Sequence, residues 1–187
     1  MFTPINIREP KIRAHNIRAA IAALMMILLL VPVSSSASDA ELQRGTDAYL
    51  EGDYETAADI WHLLAERGLA KAQFSLGIVY SKGHGVPQDY AKAVKWYRRA
   101  AEQGYASAQT NLGFMYGKGH GLPQNYVLAH MWYNLAALQG EELSLDSGDG
   151  ESGNRDKIAR RMTPAQIARA QELAAQCLAS NYQDCAE

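Results

Sequence analysis

The sequence predicts an all-α protein in which antiparallel helix hairpins stack side by side into an α-solenoid. Two observations lead to this prediction. Residues 72–104 and 108–140 match at 19 of 33 positions without a gap, which sets a repeat period of 36 residues. Each copy contains two segments with the apolar periodicity of a helix, separated by a turn rich in glycine. A fixed period of this size is typical of repeat architectures.

The composition is that of a folded chain of ordinary charge. Of the 187 residues, 48% are hydrophobic and 20% are charged, which argues against wholesale disorder. The formal net charge is -2, so no basic excess is present to neutralise phosphates, and we expect no nucleic-acid partner. Two cysteines are too few for a disulfide-framework fold or a four-cysteine zinc site.

The first 37 residues have the pattern of a secretory signal peptide. A basic start precedes the uncharged run Ala19–Val33, and small residues follow up to Ala37, where we expect cleavage. Residues 38–187 then carry 14 Lys and Arg against 19 Asp and Glu, a net charge of -5. The chain is accordingly expected in the periplasm or outside the cell, without a membrane partner. An uncleaved membrane anchor is the alternative, although a spanning helix needs about 20 apolar residues.

Each repeat unit is expected to form two helices. In the second unit, Ala72, Leu76 and Val79 share one helical face of a segment that ends near Lys82, where glycine breaks the helix. The following helix is expected at about 89–103, with its apolar face on one side. The units are predicted at about 41–71, 72–107 and 108–140. Gly77 and Gly113 interrupt the first helices at matching positions, which predicts a close backbone contact there.

The end of the chain predicts a cap on the last repeat. Residues 141–153 are acidic and rich in Gly and Ser, so we expect a loop there. Residues 154–180 are predicted to form a capping helix pair, whose second helix begins at Thr163-Pro164. Residues 181–187 form a tail.

The sequence pattern of the repeat resembles that of a known family. The pattern A-x3-LG-x2-Y-x2-G-x-G-x-P-x2-Y-x2-A-x2-WY-x2-AA-x2-G is similar to the Sel1-like repeat, a relative of the tetratricopeptide repeat. The resemblance covers about Glu41–Ser180, and it is most complete in the two central units. It implies a right-handed α-solenoid used for protein interaction, and it implies neither a substrate nor a cofactor.

In such a solenoid the first helices line the concave side, which is where we expect a peptide or protein partner to bind. The glutamines there could hydrogen-bond an extended peptide backbone. The alternative is that Phe74 and Phe114 pack between neighbouring units. The candidate binding residues are Gln73, Phe74, Ile78, Gln109, Thr110 and Phe114.

The outward face of the second helix becomes apolar in the third unit. Large apolar side chains are costly to leave in water, so we expect the C-terminal helices to cover this face. The alternative is that Leu128 and Met131 contact a second protein. The face comprises Leu128, Met131, Leu135 and Leu138, and its expected partners are Ile158, Ile167, Leu173 and Leu178.

Two further residue pairs bear on chemistry. His84 and His120 recur within Gly-His-Gly turns, where we expect turn-filling surface residues, because no carboxylate or thiolate lies beside them in sequence. No metal site is expected, and the acidic residues of 141–153 do not match a calcium-binding loop. Cys177 and Cys185 are expected to form a disulfide in an oxidising compartment, contributing about 2–3 kcal/mol.

The sequence does not predict an enzyme. The patterns S-x-x-K, H-E-x-x-H and G-x-S-x-G are all missing, and the glycine-rich segments lack the Lys-Ser/Thr of a phosphate-binding loop. Some cysteine-rich Sel1-like proteins are linked to β-lactam binding or hydrolysis, so a cell-wall-related or β-lactam-binding enzyme is the alternative. Its site would have to be assembled from different repeats.

Overall fold

The computed structural model describes residues 35–139 and 153–185. The chain divides into two units, Met1–Ala37 and Ser38–Glu187, and the fold described below is that of the second unit. The predicted signal segment and the predicted acidic loop lie almost entirely outside the described residues. None of the described helices is long and apolar enough to cross a lipid bilayer.

The described residues form eight α-helices and no strand, which confirms the all-α prediction. From the second helix to the seventh, each helix packs against the next, and the last helix packs on the sixth. The helices are α1 (Ser35–Glu51), α2 (Tyr54–Glu66), α3 (Ala70–Lys82), α4 (Tyr90–Ala101), α5 (Ala106–Lys118), α6 (Tyr126–Ala137), α7 (Asn154–Ala159) and α8 (Pro164–Ala179).

The repeat places the same capping chemistry at the same point of each unit. Asp53, Asp89 and Asn125, which are 36 residues apart, precede the second helix of their units. Each side-chain oxygen accepts a hydrogen bond from the backbone N–H three residues later, at 3.2, 2.9 and 3.1 Å. Such a cap is worth about 1 kcal/mol. The first helices α3 and α5 end at Gly83 and Gly119, both with φ +73°, which glycine adopts without steric cost.

The hydrophobic core forms two clusters of buried residues along the stack of helices. Its buried residues come from the predicted faces of both helices in each unit, and they include the tryptophans of all three units, Trp61, Trp96 and Trp132. The close contact predicted at Gly77 and Gly113 is made by a tyrosine ring of the same unit. A Cβ at Gly77 would lie 2.5 Å from two ring carbons of Tyr97. The glycine therefore leaves room for the ring to approach the helix closely.

The C-terminal helix pair covers the apolar face of α6. Met131 and Leu135 are fully buried, and α8 faces them with Ala170, Ala174 and Cys177. Two residues of the predicted contact were assigned wrongly, because Leu138 is 68% exposed and Leu178 is 45% exposed. Leu138 follows the last residue of α6, and Leu178 is turned about 100° from the buried row of α8.

A disulfide joins the last helix to the tail. Cys177 is fully buried on α8, and Cys185 lies eight residues later, with the two Cα atoms 4.5 Å apart. The tail segment between them turns back so that the ring of Tyr182 packs beside Gly104 and its hydroxyl lies 3.5 Å from the Gln139 amide. The disulfide therefore holds the segment between Cys177 and Cys185 against the repeats.

Candidate functional site

A groove opens between the first helices of the second and third units. Its volume is about 390 Å³, within the range of sites that bind small ligands or peptide side chains. The walls come from α3 and α5, and Tyr90 and Tyr97 of α4 also line it. It is lined by Phe74, Ile78, Ser81, Lys82, Tyr90, Tyr97, Asn111, Phe114, Met115 and His120.

Three of the predicted binding residues line this groove. Phe74 and Ile78 project from α3, and Phe114 projects from α5; all three are partly buried and pack against the core. The ring of Phe74 also contacts the rings of Tyr97 and Tyr105, with centroids 6.0 and 5.2 Å apart. These side chains therefore combine packing between units with a surface that faces the groove.

The prediction for Gln73 and Gln109 was wrong, because neither side chain reaches the groove. Gln73 is 4% exposed and Gln109 is fully buried. The Gln73 amide donates to the carbonyl of Ala65 at 3.1 Å, and its oxygen accepts from Gln103 at 2.7 Å. In both glutamines the amide hydrogen bonds are made within the protein, so neither is available to a peptide backbone.

The same two hydrogen bonds recur one repeat later. Gln109 donates to Ala101 O at 3.2 Å and accepts from Gln139 at 3.1 Å. Each glutamine therefore ties the end of the preceding helix to the end of the following one. Each of these amide pairs joins a buried glutamine to an exposed one and is structural. The 36-residue recurrence of Gln73/Gln109 and Gln103/Gln139 was its signal in the sequence.

Thr110 was also assigned wrongly. It is 3% exposed, and its hydroxyl has no hydrogen-bond partner among the described residues. The residue lies on the side of α5 that packs into the interior. It therefore contributes no surface to the groove.

The turn histidines join successive units, which the sequence did not predict. His84 stacks on Tyr54, with ring centroids 4.4 Å apart, and its Nδ1 lies 2.9 Å from the Tyr49 hydroxyl. His120 stacks on Tyr90 in the same way at 4.6 Å. Each histidine follows its tyrosine by 30 residues, a spacing that the repeat could have revealed. His120 and Tyr90 also line the groove, so this contact shapes the site.

The groove is suited to apolar and hydrogen-bonding contacts. Burial raises the pKa of Tyr97 to about 12, so its hydroxyl is protonated at neutral pH. That hydroxyl lies 3.3 Å from Ser81 Oγ, which itself donates to the carbonyl of Ile78 at 2.9 Å. The hydrogen-bond partners of Ser81 in the described part of the chain thus include no base that would activate it as a nucleophile. The same part of the chain gathers no group of three His, Cys, Asp or Glu residues that could hold a metal.

A second, smaller pocket lies one repeat further along. Its volume is about 120 Å³. Phe114, Gly117, Lys118 and Tyr133 line it, at the positions that Ile78, Ser81, Lys82 and Tyr97 hold in the groove. The other wall is α7, which supplies Asn154, Lys157, Ile158 and Arg161 from the helix and the turn that follows it.

The short helix α7 takes the place that the first helix of a further unit would occupy. A Cβ at Gly117 would lie 3.1 Å from Ile158 Cδ1, so the glycine lets α7 approach closely. Arg161 contacts the ring of Tyr126 and donates to its hydroxyl at 3.2 Å. Arg161 thus contacts the tyrosine that corresponds to Tyr54 and Tyr90, the partners of the turn histidines in the earlier units.

Comparison with known proteins agrees with this architecture. The family model described as Sel1 repeat matches residues 70–105 and 106–141. The chain is similar to a protective antigen with an SLR fold from uropathogenic Escherichia coli, with 29% identity and a TM-score of 0.66. That match covers 78% of this chain but only 31% of the Escherichia coli chain. No curated protein gives a significant match.

A second solved structure extends the match over most of both chains. It is a Sel1 repeat protein from Oxalobacter formigenes, 30% identical, with a TM-score of 0.54. The match covers 90% of this chain and 75% of the other. Folds of this kind commonly mediate protein–protein interaction and are typically non-enzymatic scaffolds. On the two matched repeats, the stacked hairpins and this similarity, the chain belongs to the Sel1-repeat family.

Proposed function

We propose that this protein is a non-enzymatic adaptor that binds a peptide segment of a partner protein in the groove between α3 and α5. The observation that carries the proposal is the groove itself, whose aromatic and aliphatic walls surround a few polar groups. Apolar walls with few polar groups are the usual composition of a binding site. Phe74, Ile78 and Phe114 supply the apolar contacts, and Asn111 and Ser81 supply hydrogen bonds to the bound segment.

Photocrosslinking from the groove tests this function. A photoreactive phenylalanine analogue at Ile78 is expected to capture a partner protein in cells. The matched control carries the same analogue at Lys71, which is exposed on the same helix outside the groove lining. Equal capture from both positions, or capture from Lys71 alone, would contradict binding in the groove.

A substitution at Phe114 separates binding from packing. Phe114→Ser is expected to abolish capture from Ile78 while the helical circular dichroism remains unchanged. If the variant instead loses its helicity, Phe114 acts mainly in packing between units. The partner-binding role would then rest on Phe74 and Ile78 alone.

We also propose that the adaptor works in the cell envelope, as a periplasmic or secreted protein. The disulfide between Cys177 and Cys185 supports this, because structural disulfides persist in oxidising compartments. The basic and apolar pattern of the first 37 residues supports it as well. Mass spectrometry of the protein purified from a bacterial periplasm should find Ser38 at the N-terminus. An intact Met1 on a membrane-bound protein would instead indicate the anchored form.

A further inference from the structure

The pocket between α5 and α7 is lined by more positive than negative charge, counted over the described residues. Three cationic side chains line it, Lys118, Lys157 and Arg161, and no acidic side chain from 35–139 or 153–185 does. The surplus is local, because residues 38–187 carry a net charge of -5. Charge of one sign gathered in a concave site favours a ligand of the other sign.

Three side chains of this pocket offer hydrogen-bond donors. The Nδ2 group of Asn154 is buried and has no hydrogen-bond partner among the described residues. The exposed ammonium of Lys118 lies 5.8 Å from the centroid of the Phe114 ring. Arg161 uses Nη1 in its hydrogen bond to Tyr126, and a guanidinium has five N–H donors in all. A bound group that offers only acceptors would satisfy this set.

The pocket and the groove are adjacent, because Phe114 lines both. The repeated sequence places one lysine in each of the two sites: Lys82 lines the groove and Lys118 lines the pocket. Lys157 and Arg161 come from α7 and the turn that follows it, so these two cations are not supplied by the repeated sequence. A ligand that fills the groove with an apolar side chain would reach these cations with a neighbouring residue.

We infer that the pocket lined by Lys118, Asn154, Lys157 and Arg161 binds a carboxylate side chain of the partner peptide, next to the apolar side chain held in the groove. This inference rests on the proposed function and adds the chemistry of the partner. A carboxylate has two oxygens that can accept hydrogen bonds from an ammonium and a guanidinium at once. The partner segment therefore has an acidic residue beside its apolar anchor.

Binding of designed peptides tests this inference. The probe is a fluorescent nine-residue peptide with a central leucine flanked by glutamates, compared with the same peptide carrying glutamines. Fluorescence polarisation at about 50 mM salt should give at least tenfold tighter binding of the glutamate peptide, and the preference should shrink as salt screens the charges. Lys118→Gln with Arg161→Gln should remove the preference.

A matched double variant controls for overall charge. Lys95→Gln with Arg160→Gln removes two exposed cations that do not line the pocket, and it should keep the preference. If this control loses the preference equally, the effect is non-specific and the inference fails. Circular dichroism checks that both double variants keep their helicity.

The possible failures can be told apart. Equal binding of the glutamate and glutamine peptides overturns the carboxylate pocket but leaves the groove intact, provided that Phe114→Ser weakens both peptides. If neither peptide binds, the inference is overturned, while crosslinking from Ile78 still decides independently whether the groove binds a protein.

Discussion

The imidazole of His120 lies on the ring of Tyr90, with centroids 4.6 Å apart and planes inclined by 20°. His120 belongs to the turn of one unit and Tyr90 to the start of the second helix in the unit before it. His84 and Tyr54 make the same contact one unit earlier. Stacking of this kind fixes the position of each turn against its neighbour, and at His120 it also fixes part of the groove wall.

This contact predicts a measurable coupling between the two units. Aromatic pairs contribute about 0.5–1.5 kcal/mol beyond their buried area, so His120→Ala should lower the free energy of unfolding by about 1 kcal/mol. A double-mutant cycle with Tyr90→Leu, followed by chemical denaturation, isolates the pair. Additive effects of the two substitutions would show that the stacking contributes nothing.

The buried side chain of Gln109 predicts that its substitution lowers stability without weakening binding. Gln109→Leu removes one of the two donors to Ala101 O, which also accepts from the Gly104 N–H, and takes away the nearer acceptor of the Gln139 amide. A lost buried hydrogen bond costs about 1–3 kcal/mol, so the denaturation midpoint should fall. Gln183→Leu, at an exposed glutamine, serves as the control and should leave stability unchanged. Weaker peptide binding at unchanged stability would mean that Gln109 does face the ligand.

The glycines inside α3 and α5 predict that replacement by alanine lowers stability by different amounts. A Cβ at Gly77 would lie 2.5 Å from ring carbons of Tyr97, whereas at Gly113 the nearest ring carbons of Tyr133 are 3.0 Å away. Gly77→Ala should therefore destabilise the protein by about 1–3 kcal/mol, despite the better helix propensity of alanine, and more than Gly113→Ala does. Thermal unfolding of the two variants measures the difference. The opposite order would contradict the packing of Tyr97 on α3.

The raised pKa of Tyr97 predicts a loss of stability in alkaline solution. Its folded pKa of about 12 lies above the ordinary value of 10.0, because burial disfavours the phenolate. The resulting stabilisation is complete below pH 10 and is lost as the pH rises from 10 towards 12. Tyr97→Phe should show a shallower decline than the wild-type protein when unfolding is followed over this range. Identical slopes would mean that Tyr97 is not buried as described.

The disulfide predicts a stability that depends on redox conditions. Closing the short loop between Cys177 and Cys185 contributes about 2–3 kcal/mol, so Cys185→Ser should lower the melting temperature. The difference between variant and wild type should vanish when a reducing agent is present. A difference that persists under reducing conditions would mean that the serine itself, and not the missing bond, destabilises the chain.

Much of the fold follows from the repeat alone. The 36-residue period, the caps at Asp89 and Asn125 and the glycines that end α3 and α5 all have a direct counterpart in the sequence. Phe74, Ile78 and Phe114 line the groove, as expected of side chains that lie opposite the core row containing Leu76 and Leu112. Helical periodicity is enough to decide such positions.

The errors arose where a helix has neighbours on more than one side. Gln73 lies beside the core row of α3, and from one helix alone such a flank cannot be distinguished from solvent-facing surface. The ends of the neighbouring helices cover that flank, which only the stacking of units reveals. In the same way, the contact of α7 with Gly117 could not be predicted, because α7 lies outside the 36-residue repeat and no periodicity relates the two.

The groove between α3 and α5 is the binding surface that we propose. The most direct measurement is nuclear magnetic resonance of the isotope-labelled protein, titrated with the peptide segment of a crosslinked partner. If the segment binds in the groove, amide shifts should change in α3, α5 and the first turn of α4, around Ile78, Tyr90 and Phe114. Shifts confined to α2, α8 or the exposed face of α4 that carries Lys92 and Lys95 would contradict it.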